Sequence, residues 1–209
     1  MPDDRKPDLS LFVDILKTLE NINAPYMIIG AFAGTVYGIN RVTYDIDIVV
    51  DISEQHIQAL SDKYPLPRYY ADPVMIQNSI NMGIMFNIID TDRGEKADLM
   101  PLSGTLDYRP AFERRVRQSV EVSGAEPFDV WCARVEDIVI GKLLAWKEGR
   151  SRKHETDIFD IMVFHYSKKD SDLMKSQIDE YARKLGEDTN HLWQDIKSDA
   201  KREAGKDKS

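Results

Sequence analysis

Arg41-Val42-Thr43-Tyr44-Asp45-Ile46-Asp47-Ile48-Val49-Val50 is the stretch on which the fold turns. From Asp45 to Val50 it is β-branched and apolar apart from its two acids, which predicts a strand. Residues two apart on a strand point to one face, so Asp45 and Asp47 are expected to project together while Ile46 faces the other way. Ile48, Val49 and Val50 continue without polar alternation, so the strand is expected to be buried on both faces beyond the acids. Two carboxylates on one face repel each other unless a cation lies between them. Such hard oxygen ligands suit Mg²⁺, or Mn²⁺ in its place, together with waters and substrate phosphates. A solvent-facing strand edge carrying both acids outward is the competing reading, and the triplet alone does not decide between them.

Upstream, Leu9, Phe12, Leu16 and Leu19 recur at helical spacing after Asp8, a candidate N-cap. Asn21 to Pro25 breaks that helix. Tyr26-Met27-Ile28-Ile29 reads as a buried strand ending at Gly30, and Ala31 to Tyr37 as a short helix closed by Gly38. A glycine between strand and helix allows close approach of a ligand, and free backbone N–H groups there can meet phosphate oxygens. A plain strand-to-helix turn would look the same.

Downstream, Ser53 to Tyr64 reads as a helix, and Asp72-Pro73 caps another that runs to about Met82. Ile84 to Ile89 and Lys96 to Leu102 flank Thr91-Asp92-Arg93-Gly94, so they form an antiparallel hairpin. Asp98 sits mid-strand in it between apolar neighbours, a costly place for a carboxylate unless it is paired or metal-bound. A short helix is expected over Pro110 to Val116. A weaker hairpin follows, from Ser119 to Val122 and from Phe128 to Trp131. From Val135 the pattern is helical, through Ile158 to Phe164 and Leu173 to Leu185. The stretch from Lys201 to Ser209 reads as too polar to pack. The order is α+β: a small mixed sheet flanked by helices over residues 8–132, a C-terminal helical lobe over 133–200, and a disordered tail over 201–209.

Composition narrows the function. The 209 residues carry a net charge of -8, which argues against coating nucleic acid by bulk electrostatics. No apolar run approaches the ~20 residues needed to cross a bilayer, so no membrane partner is expected. The N-terminus lacks the apolar core of a signal peptide, which makes the cytoplasm the default location. The one cysteine, Cys132, lies in an apolar run and is expected to be buried and inert.

Gly30-Ala31, thirteen intervening residues and Asp45-Ile46-Asp47 together resemble the motif of the DNA polymerase β-like nucleotidyltransferases. In that motif an apolar residue precedes Gly, then Gly or Ser, then nine to thirteen residues and an acid-x-acid triplet. Asp98 takes the place of the family's third carboxylate. Arg41-Val42-Thr43-Tyr44-Asp45-Ile46-Asp47 resembles the AbiEii-type branch, which includes toxins of abortive-infection and toxin–antitoxin systems. So does Val135 to Trp146, followed by Lys153 and Asp157. The likeness runs roughly from Leu9 to Phe164.

The resemblance implies a metal-dependent transfer of a nucleoside monophosphate from a nucleoside triphosphate to an acceptor, which is a tRNA, a protein or a small molecule. It implies metal ligation by Asp45, Asp47 and Asp98, with two Mg²⁺ ions, and phosphate contacts from Gly30 and Ala31. Lys142 and Asp157 join the site by the same resemblance, or else form a salt bridge between two helices. Arg41 and Thr43 bind phosphate or brace the loop. An antitoxin partner is implied as well. One residue departs from the pattern: Ala31 stands where the family has Gly or Ser, and it offers no hydroxyl. That departure supports an alternative, a catalytically weak nucleotide-binding or protein-interaction module of the same fold.

Other features are read as structural. Arg114, Arg115 and Arg117, and the basic residues from Lys147 to Lys153, read as solvated faces rather than an RNA patch. His154-Glu155-Thr156-Asp157 is no zinc motif, for no second histidine follows at helical spacing. The methionines and aromatics between Tyr69 and Phe86 are assigned to the core.

Overall fold

The computed structural model describes residues 9–40, 43, 45–104, 108–121, 126–168 and 175–206. They divide into two compact units, residues 1–32 with 42–133, and residues 33–41 with 134–209. The chain therefore passes between the units three times.

The first unit is built on a mixed sheet. Its strands are β1 (Tyr26–Ile29), β2 (Ile46–Val50), β3 (Tyr69–Tyr70), β4 (Phe86–Asp90), β5 (Glu95–Pro101), β6 (Val116–Val120) and β7 (Phe128–Cys132). They lie in the order β3-β4-β5-β2-β1-β7-β6. The pairs β2–β5 and β1–β7 are parallel, and the others are antiparallel. Ile46, Ile48 and Val49 are wholly out of solvent, and so are Ala97 and Leu99. Four helices belong wholly to this unit: α1 (Ser10–Asn21), α3 (Glu54–Lys63), α4 (Pro73–Met82) and α5 (Arg109–Glu113). The short α2 (Gly30–Thr35) runs from the first unit into the second.

Helix α1 buries Phe12, Leu16 and Leu19 of the expected stripe together with Leu11 and Ile15, while Leu9 is half-buried. Asp8, its expected cap, lies outside the described residues; Leu9 holds the cap position without a side-chain bond. Helix α4 starts and stops as the sequence dictates. Asp72 Oδ1 accepts the Met75 N–H at 2.9 Å, Pro73 opens the first turn, and Gly83 closes the helix at φ 65.

The first unit departs from expectation in two places. Helix α5 stops at Glu113, and Val116 opens β6 instead of ending the helix. There Val116, Gln118 and Val120 are covered while Arg117 and Ser119 are exposed, a period of two that suits a strand. The part of this hairpin expected at Val122 and Ser123 lies outside the described residues. The methionines and aromatics between Tyr69 and Phe86 are not all core. Ile76 and Phe86 are buried, but Tyr70, Met75, Met82 and Met85 are exposed. Helix α4 buries only Ile76 and Ser79 of its own length, and β3 at the sheet edge is two residues long, so little is available to cover them.

The second unit is helical: α6 (Val135–Gly149), α7 (Arg152–Ser167), α8 (Lys175–Leu185) and α9 (Glu187–Lys206). Helix α7 packs on α6 and α9, and α8 packs on α6 and α9. Residues 33–41 join this unit because Gly38, at φ 101, brings its backbone against Phe164, and Tyr37 stacks on His165 with centroids 6.3 Å apart. The disordered tail expected from Lys201 gives way to helix. Trp193, Ile196, Ala200 and Ala204 form one buried stripe along α9, and Arg202 and Lys206 pair with Asp199 and Glu203 one turn back. Only 207–209 of that stretch lie outside the described residues. Among the described residues no helix is long and apolar enough to cross a membrane.

Candidate active site

Three polar side chains stand in one row across the sheet. Asp47 on β2 is the register partner of Asp98 on β5, and Asp98 is the partner of Asn87 on β4. Register partners on adjacent strands project to the same face, so the row runs Asp47, Asp98, Asn87. Asn87 Nδ2 donates to Asp98 Oδ1 at 2.5 Å. The Asp98 side chain is 13 % exposed, so its carboxylate is held near solvent without lying in it.

Asp45 departs from expectation. It precedes β2 and is exposed, so strand alternation does not fix its direction. Thr43 braces it instead: the Thr43 hydroxyl donates to the Asp45 carbonyl at 3.0 Å and accepts the Asp45 N–H at 3.4 Å. Arg41 lies outside the described residues.

Gly30 sits against Asp47. Its neighbour Ile29 is the antiparallel partner of Asp47, and a Cβ added at Gly30 would lie 2.1 Å from Asp47 Oδ2. Its φ of 69 also lies in the left-handed region, which disfavours any other residue. Two independent constraints thus fix glycine here. Ala31 follows in the first turn of α2 and is half-buried.

Lys96 is part of this group, though its residue type alone does not single it out. Its Nζ lies 2.9 Å from Asp98 Oδ2 and 3.1 Å from Oδ1. Hydrogen bonding to Asp98 holds the Lys96 ammonium more firmly charged than usual. Partial burial opposes this, and the charges of Asp98, Asp45 and Asp47 add to it. Asp45, Asp47 and Asp98 therefore act on one cation. The signal was present in Lys96-Ala97-Asp98, where strand alternation puts Lys96 and Asp98 on one face.

The donor chemistry fits a divalent ion: hard carboxylate oxygens in a common field, with an ammonium already resting on one of them. Among the described residues no three or more His, Cys, Asp or Glu side chains are gathered so that they could hold a metal ion by themselves.

Lys142 and Asp157 belong to the helical unit. Lys142 Nζ lies 2.6 Å from Asp157 Oδ2, linking α6 to α7 in a buried ion pair. This geometry is the interhelical bridge, one of the two readings open in the sequence. Cys132 is buried in β7, as expected.

A family model described as "Nucleotidyl transferase AbiEii toxin, Type IV TA system" matches residues 90–209, more than half of the chain. The match takes in Asp98, Lys142, Asp157 and all of α9, and starts after Gly30, Asp45 and Asp47. No curated protein matches the chain. Among solved structures, the antibiotic-resistance factor ANT(2'')-Ia is similar at 14% identity and a TM-score of 0.47, over 83% of this chain and 88% of that one. An antigenic nucleotidyltransferase-like protein from Paracoccidioides brasiliensis is similar at 19% identity and a TM-score of 0.44, over 74% and 73%. JHP933 from Helicobacter pylori is similar at 16% identity and a TM-score of 0.43, over 94% and 93%.

Proposed function

The chain belongs to the AbiEii nucleotidyl transferase toxin family, and from that membership we propose that it is a metal-dependent enzyme moving a nucleoside monophosphate from a nucleoside triphosphate to an acceptor. The observation that carries this reading is the register of Asp47 with Asp98, with Gly30 bare against the Asp47 carboxylate.

Asp45 and Asp47 would hold the Mg²⁺ or Mn²⁺ that supplies positive charge to clamp the triphosphate and offset charge developing at the α-phosphate, and Asp98 would hold a second ion on the side of the acceptor hydroxyl. Gly30 leaves room beside Asp47 for the phosphates, and Thr43 keeps Asp45 in place. An Asp98 carboxylate oxygen accepts the proton of the acceptor hydroxyl as the hydroxyl oxygen bonds to the α-phosphorus. The bond from the α-phosphorus to the bridging oxygen breaks, and pyrophosphate leaves. The acceptor is a tRNA, a protein or a small molecule, and a toxin role with an antitoxin partner follows the family.

Incubation with α-labelled and γ-labelled triphosphates, Mg²⁺ and a cell extract tests the reading. Label should pass to an acceptor from the α-labelled substrate and not from the γ-labelled one. Ala31 favours a second reading, a nucleotide-binding module with little turnover. Metal-dependent nucleotide binding without transfer to any acceptor pool would establish that second reading in place of the first.

A further inference from the structure

The transfer chemistry leaves Lys96 without a task, although it is a cation in direct contact with the carboxylate row. Its ammonium touches both oxygens of Asp98. The Lys96 side chain is 45 % exposed against 13 % for Asp98, so the flexible stem reaches in from solvent and is free to swing. A carboxylate that accepts two hydrogen bonds from an ammonium has fewer lone pairs to offer a divalent ion, and the positive charge beside it repels that ion.

We propose that Lys96 is the resident counter-cation of the row. It neutralises Asp98 while the site holds no triphosphate, and transfers its hydrogen bonds to a triphosphate oxygen when the metal–nucleotide complex enters. The proposal rests on the nucleotidyltransferase reading of the same site. It makes Lys96 a positioning residue with effects of opposite sign on two ligands. Without the ammonium, a bare divalent ion meets an Asp98 carboxylate whose charge Lys96 no longer offsets, and binds more tightly. A polyphosphate, once metal is present, loses a cation and binds less tightly. An ordinary surface ion pair would shift neither affinity, or both in the same direction.

The test uses the full chain, Mn²⁺ alone as one probe and inorganic tripolyphosphate with saturating Mn²⁺ as the other, both by calorimetry. Lys96→Met keeps most of the stem, Lys96→Gln is a polar second choice if the first fails to fold, and Lys96→Arg keeps the charge. Thermal midpoints check that each variant is folded. Screening at a half-exposed site limits each effect to roughly two- to five-fold. Lys96→Met or Lys96→Gln should bind Mn²⁺ more tightly and tripolyphosphate more weakly by about that factor, with Lys96→Arg near the wild type in both. Folded Lys96→Met with wild-type affinities, or with both affinities shifted the same way, overturns the role of Lys96 and leaves the enzyme reading intact. Failure of the wild type to bind either probe overturns both.

Discussion

Lys142 on α6 and Asp157 on α7 form an ion pair with Nζ to Oδ2 at 2.6 Å, and both side chains are almost wholly removed from solvent. A buried pair is costly to break from one side, because the surviving charge is left unpaired. Asp157→Asn or Lys142→Met should therefore lower unfolding free energy by roughly 3–5 kcal/mol. Replacing both by apolar residues of similar volume should recover much of the loss. Denaturant unfolding of the two single variants and the double variant checks this. Losses that add across the double variant would show that the two residues do not act as a pair.

Nucleotide binding should require a divalent ion. Calorimetry of a triphosphate in Mg²⁺ and in EDTA should show affinity only in the first, and Asp47→Asn should weaken it in Mg²⁺. Equal affinity in both conditions would remove the metal from the proposed mechanism.

Asp98 distinguishes a catalyst from a binder. Asp98→Asn keeps size and shape and retains a carbonyl that can accept from Lys96. The rate of transfer should fall by ~10²–10⁴ while triphosphate affinity stays nearly intact. A folded Asp98→Asn protein that transfers at the wild-type rate would exclude it as the base.

Gly30 and Ala31 should respond differently to one added group. Gly30→Ala places a Cβ into the Asp47 carboxylate and strains a left-handed backbone, so Asp47 must move and activity should be lost. Ala31→Ser adds a hydroxyl worth one hydrogen bond of ~0.5–1.5 kcal/mol, so transfer should rise a few-fold. Kinetics beside thermal midpoints separate the two cases, and an unchanged rate in Ala31→Ser makes the departure from the family pattern neutral.

Acid should weaken the hairpin through Asp90. Its carboxyl is held below the ordinary aspartate range chiefly by the hydrogen bond from Arg68, 3.0 Å away, with partial desolvation opposing. A depressed carboxyl contributes stability above its unfolded value of about 3.9 and loses it as pH falls through the folded value. The thermal midpoint of the wild type should thus exceed that of Asp90→Asn at neutral pH, and the gap should close in acid. A gap that does not change with pH would mean that Asp90 acts by shape rather than charge.

Much of this was legible in the residues. The strand from Ile46, the Asp72-Pro73 start of α4 and the hairpin around Thr91 to Gly94 follow from local chemistry that tertiary contacts did not override. Asp98 was picked out because a mid-strand carboxylate needs a partner. Its partner Asn87 lies on the neighbouring strand and is not legible, since which strand lies beside which is a property of the sheet order and not of spacing, whereas Lys96, two residues away on the same strand, is legible from alternation alone. Asp45 was placed one residue too far into β2, because a β-branched run does not mark its own first hydrogen bond. The end of α9 was read as tail because its polar residues outnumber the others; Ala200 and Ala204 bury a narrow stripe that a count of charges hides. The exposed Met75, Met82 and Met85 were read as core because apolarity records preference for burial, not the supply of neighbours.

The three passages of the chain between units bear on how the protein can be dissected. A fragment starting at Arg134 would hold α6 to α9 yet lack residues 33–41, and with them the surface that meets Phe164 and His165. One starting at Asp90, where the family match begins, would keep a single residue of β4 and strip β5 of its hairpin partner. Neither truncation yields a self-contained piece, so the helices can be produced alone only by grafting 33–41 back through a linker or supplying it in trans.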